Sequence, residues 1–218
     1  MSNRIHKNKN IIIKTNKRKN IFIKPNFTYS TFDDNYRKNN EKKKDYFMFV
    51  GRIEEIKGIY VLLEAFKSLT SQDLIIVGTG SLEDEIKNKI KRDKINNIKV
   101  LGFKNRNEIN QLMKNAKALI MCSQWYETFG MVIIEAYSNG VPAIVGNIGN
   151  IKELVIEGVT GELFNYDSAE SLCKAIERFE ENEQNSYGEN AYKFFKEKFN
   201  DKINYVKLYN IYKEIMRR

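Results

Sequence analysis

From Tyr46 onward the chain alternates short apolar runs with longer stretches of helical periodicity. Tyr46-Phe47-Met48-Phe49-Val50 reads as a buried strand, and Gly51-Arg52 marks the turn after it. Val61, Leu62, Ala65, Phe66 and Leu69 then share one helical face. Leu74 to Val77 is a second strand, closed by Gly78-Thr79-Gly80. Ser81 followed by Glu83, Asp84 and Glu85 has the form of a helix N-cap with an acidic first turn. Ile98 to Phe103 reads as a third strand, and Asn105 or Asn107 caps a helix through Leu112 and Met113. Ala118-Leu119-Ile120-Met121-Cys122 is a fourth apolar run, and Met131 to Tyr137 is an apolar helix ending at the stop signal Asn139-Gly140. Val141 to Val145 is a strand with Pro142 at its start, where a missing N–H is tolerated. A short helix over Lys152 to Ile156, a brief strand from Glu162 to Phe164 and helix-rich sequence from Ser168 to the end complete the pattern. Strands alternating with helices predict an α/β fold: a doubly wound, Rossmann-like parallel sheet of about six strands, with C-terminal helices.

The first 45 residues break this rhythm. Ile11-Ile12-Ile13 and Ile21-Phe22-Ile23 alternate with Lys/Asn clusters, and the segment ends in Arg37 to Lys44. It reads as a basic linker or leader, or two edge strands, without the apolar surface for a core of its own. Residues 46–218 form the folded domain. The segment holds 13 Lys/Arg against 4 Asp/Glu, so the whole formal charge of +9 belongs to it, and the remaining 24 basic and 24 acidic residues cancel. An electrostatic partner, such as an anionic membrane surface, would be recruited by residues 1–45. Compositional drift toward Lys, Asn and Ile explains the same charge without a partner. A neutral domain, with only Phe22, Phe27 and Tyr29 interleaved among the basic residues, argues against nucleic acid.

Hydrophobic residues make up 42% of the chain, enough for a substantial core. No apolar run approaches the ~20 residues of a membrane span, and no signal peptide opens the chain. Two cysteines, Cys122 within a strand and Cys173, suggest no disulfide framework. The expected location is cytoplasmic, with attachment to the inner face of the membrane as the variant that the basic segment allows.

Candidate chemistry centres on Ser123 to Glu135, a strand–loop–helix junction with one carboxylate, Glu127, before the helix and another, Glu135, inside it. In an open parallel sheet such junctions lie at the carboxyl edge, where ligands bind, and a helix N-terminus there attracts anions. Were the whole interval helical, the two carboxylates would stand about 12 Å apart, which suits an elongated ligand better than a shared metal or proton. A solvated loop glutamate and helix glutamate would have the same spacing, although Glu135 interrupts an apolar face where an unpaired charge is costly. Gly51-Arg52 and Lys57-Gly58 follow the first strand; an arginine clamps a diphosphate bidentately and a lysine acts on it as a point charge. Alone, two cations beside two glycines more often mark a solvated helix entrance. Gly78-Thr79-Gly80 lacks the third glycine of a dinucleotide fingerprint, with Glu83 in its place, which rejects an oxidoreductase. The single histidine, His6, lies in the basic segment, so neither a Ser-His-Asp arrangement nor a zinc site is expected in the domain.

Glu127-Thr128-Phe129-Gly130 followed by Glu135 resembles the Glu-x7-Glu signature of retaining glycosyltransferases of family 4 (glycosyl transferases group 1), which have the GT-B fold. With Gly-Arg and Lys-Gly in the matching order, the resemblance runs from Tyr46 to Arg218, the donor-binding C-terminal half of such an enzyme. It implies hexosyl transfer from a UDP- or GDP-linked nucleotide-sugar, with no metal and no cofactor besides that donor. Glu127 would lie by the transferred sugar, Arg52 and Lys57 would neutralise the departing diphosphate, and Glu135 would hold the ribose. Gly51, Gly78, Gly80, Phe103, Thr128, Phe129 and Gly130 would complete the donor site. Thr128 stands where the family more often has glycine; Gly149, Asn150 and Glu153 resemble its Gly-Gly-x-x-Glu segment, and Pro25-Asn26-Phe27 resembles its interdomain linker. Residues 1–45 are too short for the acceptor domain of a GT-B enzyme. The expectation is therefore a donor-binding half, with an acceptor domain on another polypeptide as partner. A non-catalytic nucleotide-sugar-binding module or a truncated inactive fragment are the alternatives.

Overall fold

The computed structural model describes Phe22 and residues 24–29, 46–182 and 186–217. His6, the run Ile11-Ile12-Ile13 and the basic cluster Arg37 to Lys44 lie outside the described residues.

Alternation within the apolar runs sets the layers. In β1 (Tyr46–Val50), Phe47 and Phe49 point into one core and Met48 into the other. β2 (Asp73–Val77), β3 (Ile98–Val100), β4 (Ala116–Met121), β5 (Ala143–Gly146) and β6 (Gly161–Phe164) join it in one sheet, in the order β3-β2-β1-β4-β5-β6. Every neighbouring pair is parallel. The sheet is buried on both faces, as parallel strands require. On the face of Phe47 and Phe49 lie α1 (Ile59–Ser68), α2 (Glu83–Arg92) and, after β6, α5 (Ala169–Glu181). The Met48 face is covered by α3 (Arg106–Lys114), α4 (Met131–Ser138) and α6 (Tyr187–Lys198). A last helix, α7 (Asp201–Met216), follows.

Local chemistry explains the ends. Asn105 and Glu108 form a reciprocal capping box that starts α3, satisfying two otherwise orphaned donors. α4 stops at Asn139-Gly140 as its composition predicts, with Gly140 left-handed at φ 66°. Tyr137 is fully buried, and its hydroxyl bonds Leu154 O at 3.1 Å and Thr160 Oγ1 at 3.2 Å.

Several expected boundaries shift. β3 ends at Val100 rather than Phe103: Leu101 N still donates to Ile76 O, but Gly102 turns left-handed at φ 67° and leaves Phe103 76% exposed. α2 starts after Leu82, and Ser81 makes no cap. β5 begins one residue after Pro142, and the expected helix over Lys152 to Ile156 is a single 3-10 turn, Ile151–Leu154. Residues 24–29 lie against the start of α7, with Thr28 bridging to Asn200. Among the described residues, no helix is long and apolar enough to cross a membrane.

The strand order doubles back at one place. β1 and β4 are neighbours, and the chain leaves them toward opposite halves of the sheet. Their carboxyl ends flank the crevice in which ligands of doubly wound sheets bind.

Candidate functional site

Two loops meet at that crevice. The first leaves β1 through Gly51 and Arg52, makes a 3-10 turn over Glu55–Lys57, and enters α1 at Gly58. The second leaves β4 through Ser123 and reaches α4 at Gly130. Gln124 N donates to Ile56 O at 2.9 Å and stitches the two together. Gly58 makes that approach feasible: it is left-handed at φ 70°, and a Cβ there would lie 2.0 Å from Cys122 O.

The consequence is a cation and a carboxylate in contact. Lys57 Nζ donates to Glu127 Oε1, and Ser123 Oγ donates to the same oxygen at 2.7 Å. Each charged side chain keeps 21% of its surface in solvent, so a ligand can reach both. Burial pushes the Glu127 carboxyl up, but the hydrogen bonds from Lys57 and Ser123, with the charges of Lys57 and Arg52, outweigh it and hold Glu127 below the ordinary carboxylate range. It is therefore ionised at neutral pH and serves as an acceptor of hydrogen bonds rather than as an acid.

A cavity of about 250 Å³ opens beside the pair. Gly51, Lys57, Ser123 and Glu127 line one part; Thr128, Phe129, Gly130, Met131 and Val132 bring the N-terminus of α4 to another. No side chain caps that helix, so its first turn can offer amides to an anion, although Ile133 N already donates to Gly130 O at 3.0 Å.

The other residues expected at a site fall around the cavity rather than in its wall. Arg52 is on the outer side of the β1 loop, 64% exposed, and pairs with Glu54 at 2.8 Å. Gly78 and Gly80 pack the β2 exit loop onto the β1 loop: a Cβ on Gly78 would stand 1.9 Å from Gly51 O. Phe103 is solvent-exposed beyond β3. Glu135 is half-buried in α4; burial pushes its carboxyl up, and the charge of Arg106 offsets this in part. Glu153 is exposed. Two polar lining residues, Ser123 and Asn26, are marked in the sequence only as the start of the junction and as part of the linker-like segment, not as site residues. Ser123 carries a signal in hindsight, four positions before Glu127 in one loop. Among the described residues, no three His, Cys, Asp or Glu side chains are grouped to hold a metal ion.

A family model described as "Glycosyl transferases group 1" matches residues 31–194. An uncharacterised glycosyltransferase of Methanocaldococcus jannaschii is 30% identical over 159 residues, covering 72% of this chain and 45% of its own. Among solved structures, Anabaena HepE in complex with UDP superposes with a TM-score of 0.70 at 26% identity, over 80% of this chain and 50% of that one. Sucrose-phosphate synthase from Thermosynechococcus elongatus gives 0.74 at 22% identity, over 88% and 52%, a likeness of fold. The chain spans about half the length of the relatives it matches.

Proposed function

Because this chain belongs to the glycosyl transferases group 1 family, we propose that it is the donor-binding part of a glycosyltransferase that takes a UDP- or GDP-linked hexose. The observation that carries the reading is the Lys57–Glu127 contact at the crevice between β1 and β4, beside the uncapped start of α4. A nucleotide-sugar presents two kinds of chemistry, a diphosphate anion and a polyhydroxyl ring. The α4 amides, Lys57 and the nearby Arg52 answer the first; the ionised Glu127, with Ser123, answers the second. That Anabaena HepE, a structural neighbour, was solved in complex with UDP supports a nucleotide as the ligand. Glu135, half-buried and farther along α4, is the candidate for the ribose hydroxyls.

In the proposed transfer, the bond from the anomeric carbon to the β-phosphate oxygen breaks and the acceptor oxygen bonds that carbon from the same face. The acceptor proton passes to the departing phosphate oxygen, and configuration is retained because attack and departure share one face. Lys57 and Arg52 stabilise the charge that develops on the diphosphate, and Glu127 holds the sugar in place. A titration of the purified chain tests the binding half of the reading: UDP or GDP binds, and the matching nucleoside binds at least tenfold more weakly, the loss expected for charge-assisted contacts of about 1.5–3 kcal/mol. Equal affinity for nucleoside and diphosphate, or no binding of either diphosphate, overturns it.

A further inference from the structure

Asn26 reaches the cavity from outside the sheet domain, on a segment that precedes β1. That segment is fastened on both sides of it. Lys24 Nζ donates to Asn204 Oδ1 at 2.8 Å, and Asn204 Nδ2 donates to Pro25 O at 2.8 Å. On the other side, Thr28 N donates to Phe199 O at 3.2 Å and Arg106 Nη2 to Thr28 Oγ1 at 3.0 Å. Asn204 and Thr28 are each only 3% exposed, so breaking these bonds would strand buried polar groups. The segment is thus held in one place against α3 and α7, while Asn26 itself remains exposed and in the cavity wall. Among the described residues, no hydrogen bond uses its side-chain amide.

Size and polarity indicate what meets it. The cavity, about 250 Å³, lies below the ~300–1,000 Å³ that encloses a whole drug-sized ligand, so it takes one part of a nucleotide-sugar. The anionic part is matched by Lys57 and the α4 amides. The polar side chains that remain in the wall are the Glu127 carboxylate, the Ser123 and Thr128 hydroxyls and the Asn26 amide. An amide offers a donor and an acceptor and carries no charge, which suits a sugar hydroxyl that is itself both.

We propose that Asn26 is a specificity-determining residue that hydrogen-bonds a hydroxyl of the donor's sugar ring, so that the segment before β1 supplies part of the sugar subsite. This rests on the nucleotide-sugar reading above. The test is calorimetry on the full chain, wild type and Asn26→Ala, with UDP, GDP, UDP-glucose, UDP-N-acetylglucosamine and GDP-mannose. Asn26→Ala weakens the tightest-binding sugar nucleotide by about three- to tenfold, the loss of one neutral hydrogen bond. It leaves the matching diphosphate within about twofold, because neither Lys57 nor α4 is touched. A thermal melt equal to wild type confirms that the exposed substitution leaves the fold intact. Equal loss for diphosphate and sugar nucleotide, or no loss for either, refutes the role of Asn26 while leaving the nucleotide site standing. A wild-type chain that binds neither UDP nor GDP refutes the nucleotide-sugar reading and this inference with it.

Discussion

Gly58→Ala tests how the fold brings Lys57 to Glu127. Gly58 sits at φ 70°, ψ 27°, between the 3-10 turn that carries Lys57 and the first residue of α1. An alanine there has two costs. The left-handed backbone costs about 1–2 kcal/mol for a residue with a Cβ. The second cost is contact: the Cβ would lie 2.0 Å from Cys122 O, 2.7 Å from Cys122 Cβ and 2.8 Å from Cys122 C. Ordinary separations are about 3.5–4.0 Å, so the loop must retreat from β4, and overpacking of this kind costs about 1–3 kcal/mol. Together these make roughly 2–5 kcal/mol, which in a domain of this size lowers the melting temperature by roughly 5–15 °C. Gly158→Ala separates the two costs. Gly158 is also left-handed, at φ 73°, but a Cβ on it would meet nothing within 4 Å. It should lose only the backbone part, about 1–2 kcal/mol. Thermal unfolding of the two variants side by side decides the matter. A Gly58→Ala protein that melts no lower than Gly158→Ala would show that the loop does not crowd Cys122, and that the Lys57–Glu127 contact has another origin.

Two further substitutions probe polar groups in the Met48-side layer. Burial raises the Glu135 carboxyl above its ordinary range in the folded state, so that the folded protein binds its proton more readily than the unfolded chain and Glu135 costs stability as pH rises through the raised value. Glu135→Gln should therefore melt higher than wild type at neutral pH, with the gain fading as pH falls below about 4, where the wild-type carboxyl becomes protonated in both states; a lower melting temperature at neutral pH would contradict this. Tyr137→Phe removes the donor to Leu154 O and the contact with Thr160 Oγ1 in a fully buried place, and should lower unfolding free energy by about 1–3 kcal/mol in urea titrations. An unchanged urea midpoint would mean that those groups find other partners.

The sheet was legible because buried parallel strands write themselves as uninterrupted apolar runs. Tyr46–Val50 coincides with the run that predicts it, and the stop after Ser138 follows from Asn139-Gly140. β3 was overread because Leu101 and Phe103 are as apolar as strand residues, whereas the left-handed turn at Gly102 depends on contact with the loop after β2: Gly78 N donates to Gly102 O at 2.9 Å. Ser81 failed as a cap for a similar reason. Leu82 N donates across to Ile53 O, and Glu83 N closes a local turn onto Gly80 O, so a tertiary contact and a backbone turn fix that helix start. The meeting of Lys57 with Glu127 follows from the rule that loops after neighbouring parallel strands share an edge, once β1 and β4 are adjacent. Asn26 was beyond reach of that rule. Its place depends on bonds to Arg106, Phe199 and the buried Asn204, all far along the chain, which no local pattern marks.

In the proposed donor site, Lys57 meets a diphosphate at the crevice between β1 and β4. The most direct measurement is calorimetric titration of wild type and Lys57→Ala with UDP, UMP and uridine, or with GDP, GMP and guanosine if the chain prefers guanine. Lys57→Ala should weaken the diphosphate by about 10- to 100-fold, as removal of a charge-assisted contact does. The nucleoside should change by less than about threefold, since only non-ionic contacts remain to it. Equal weakening of nucleoside and diphosphate, or an unaltered diphosphate affinity, would contradict this placement of Lys57.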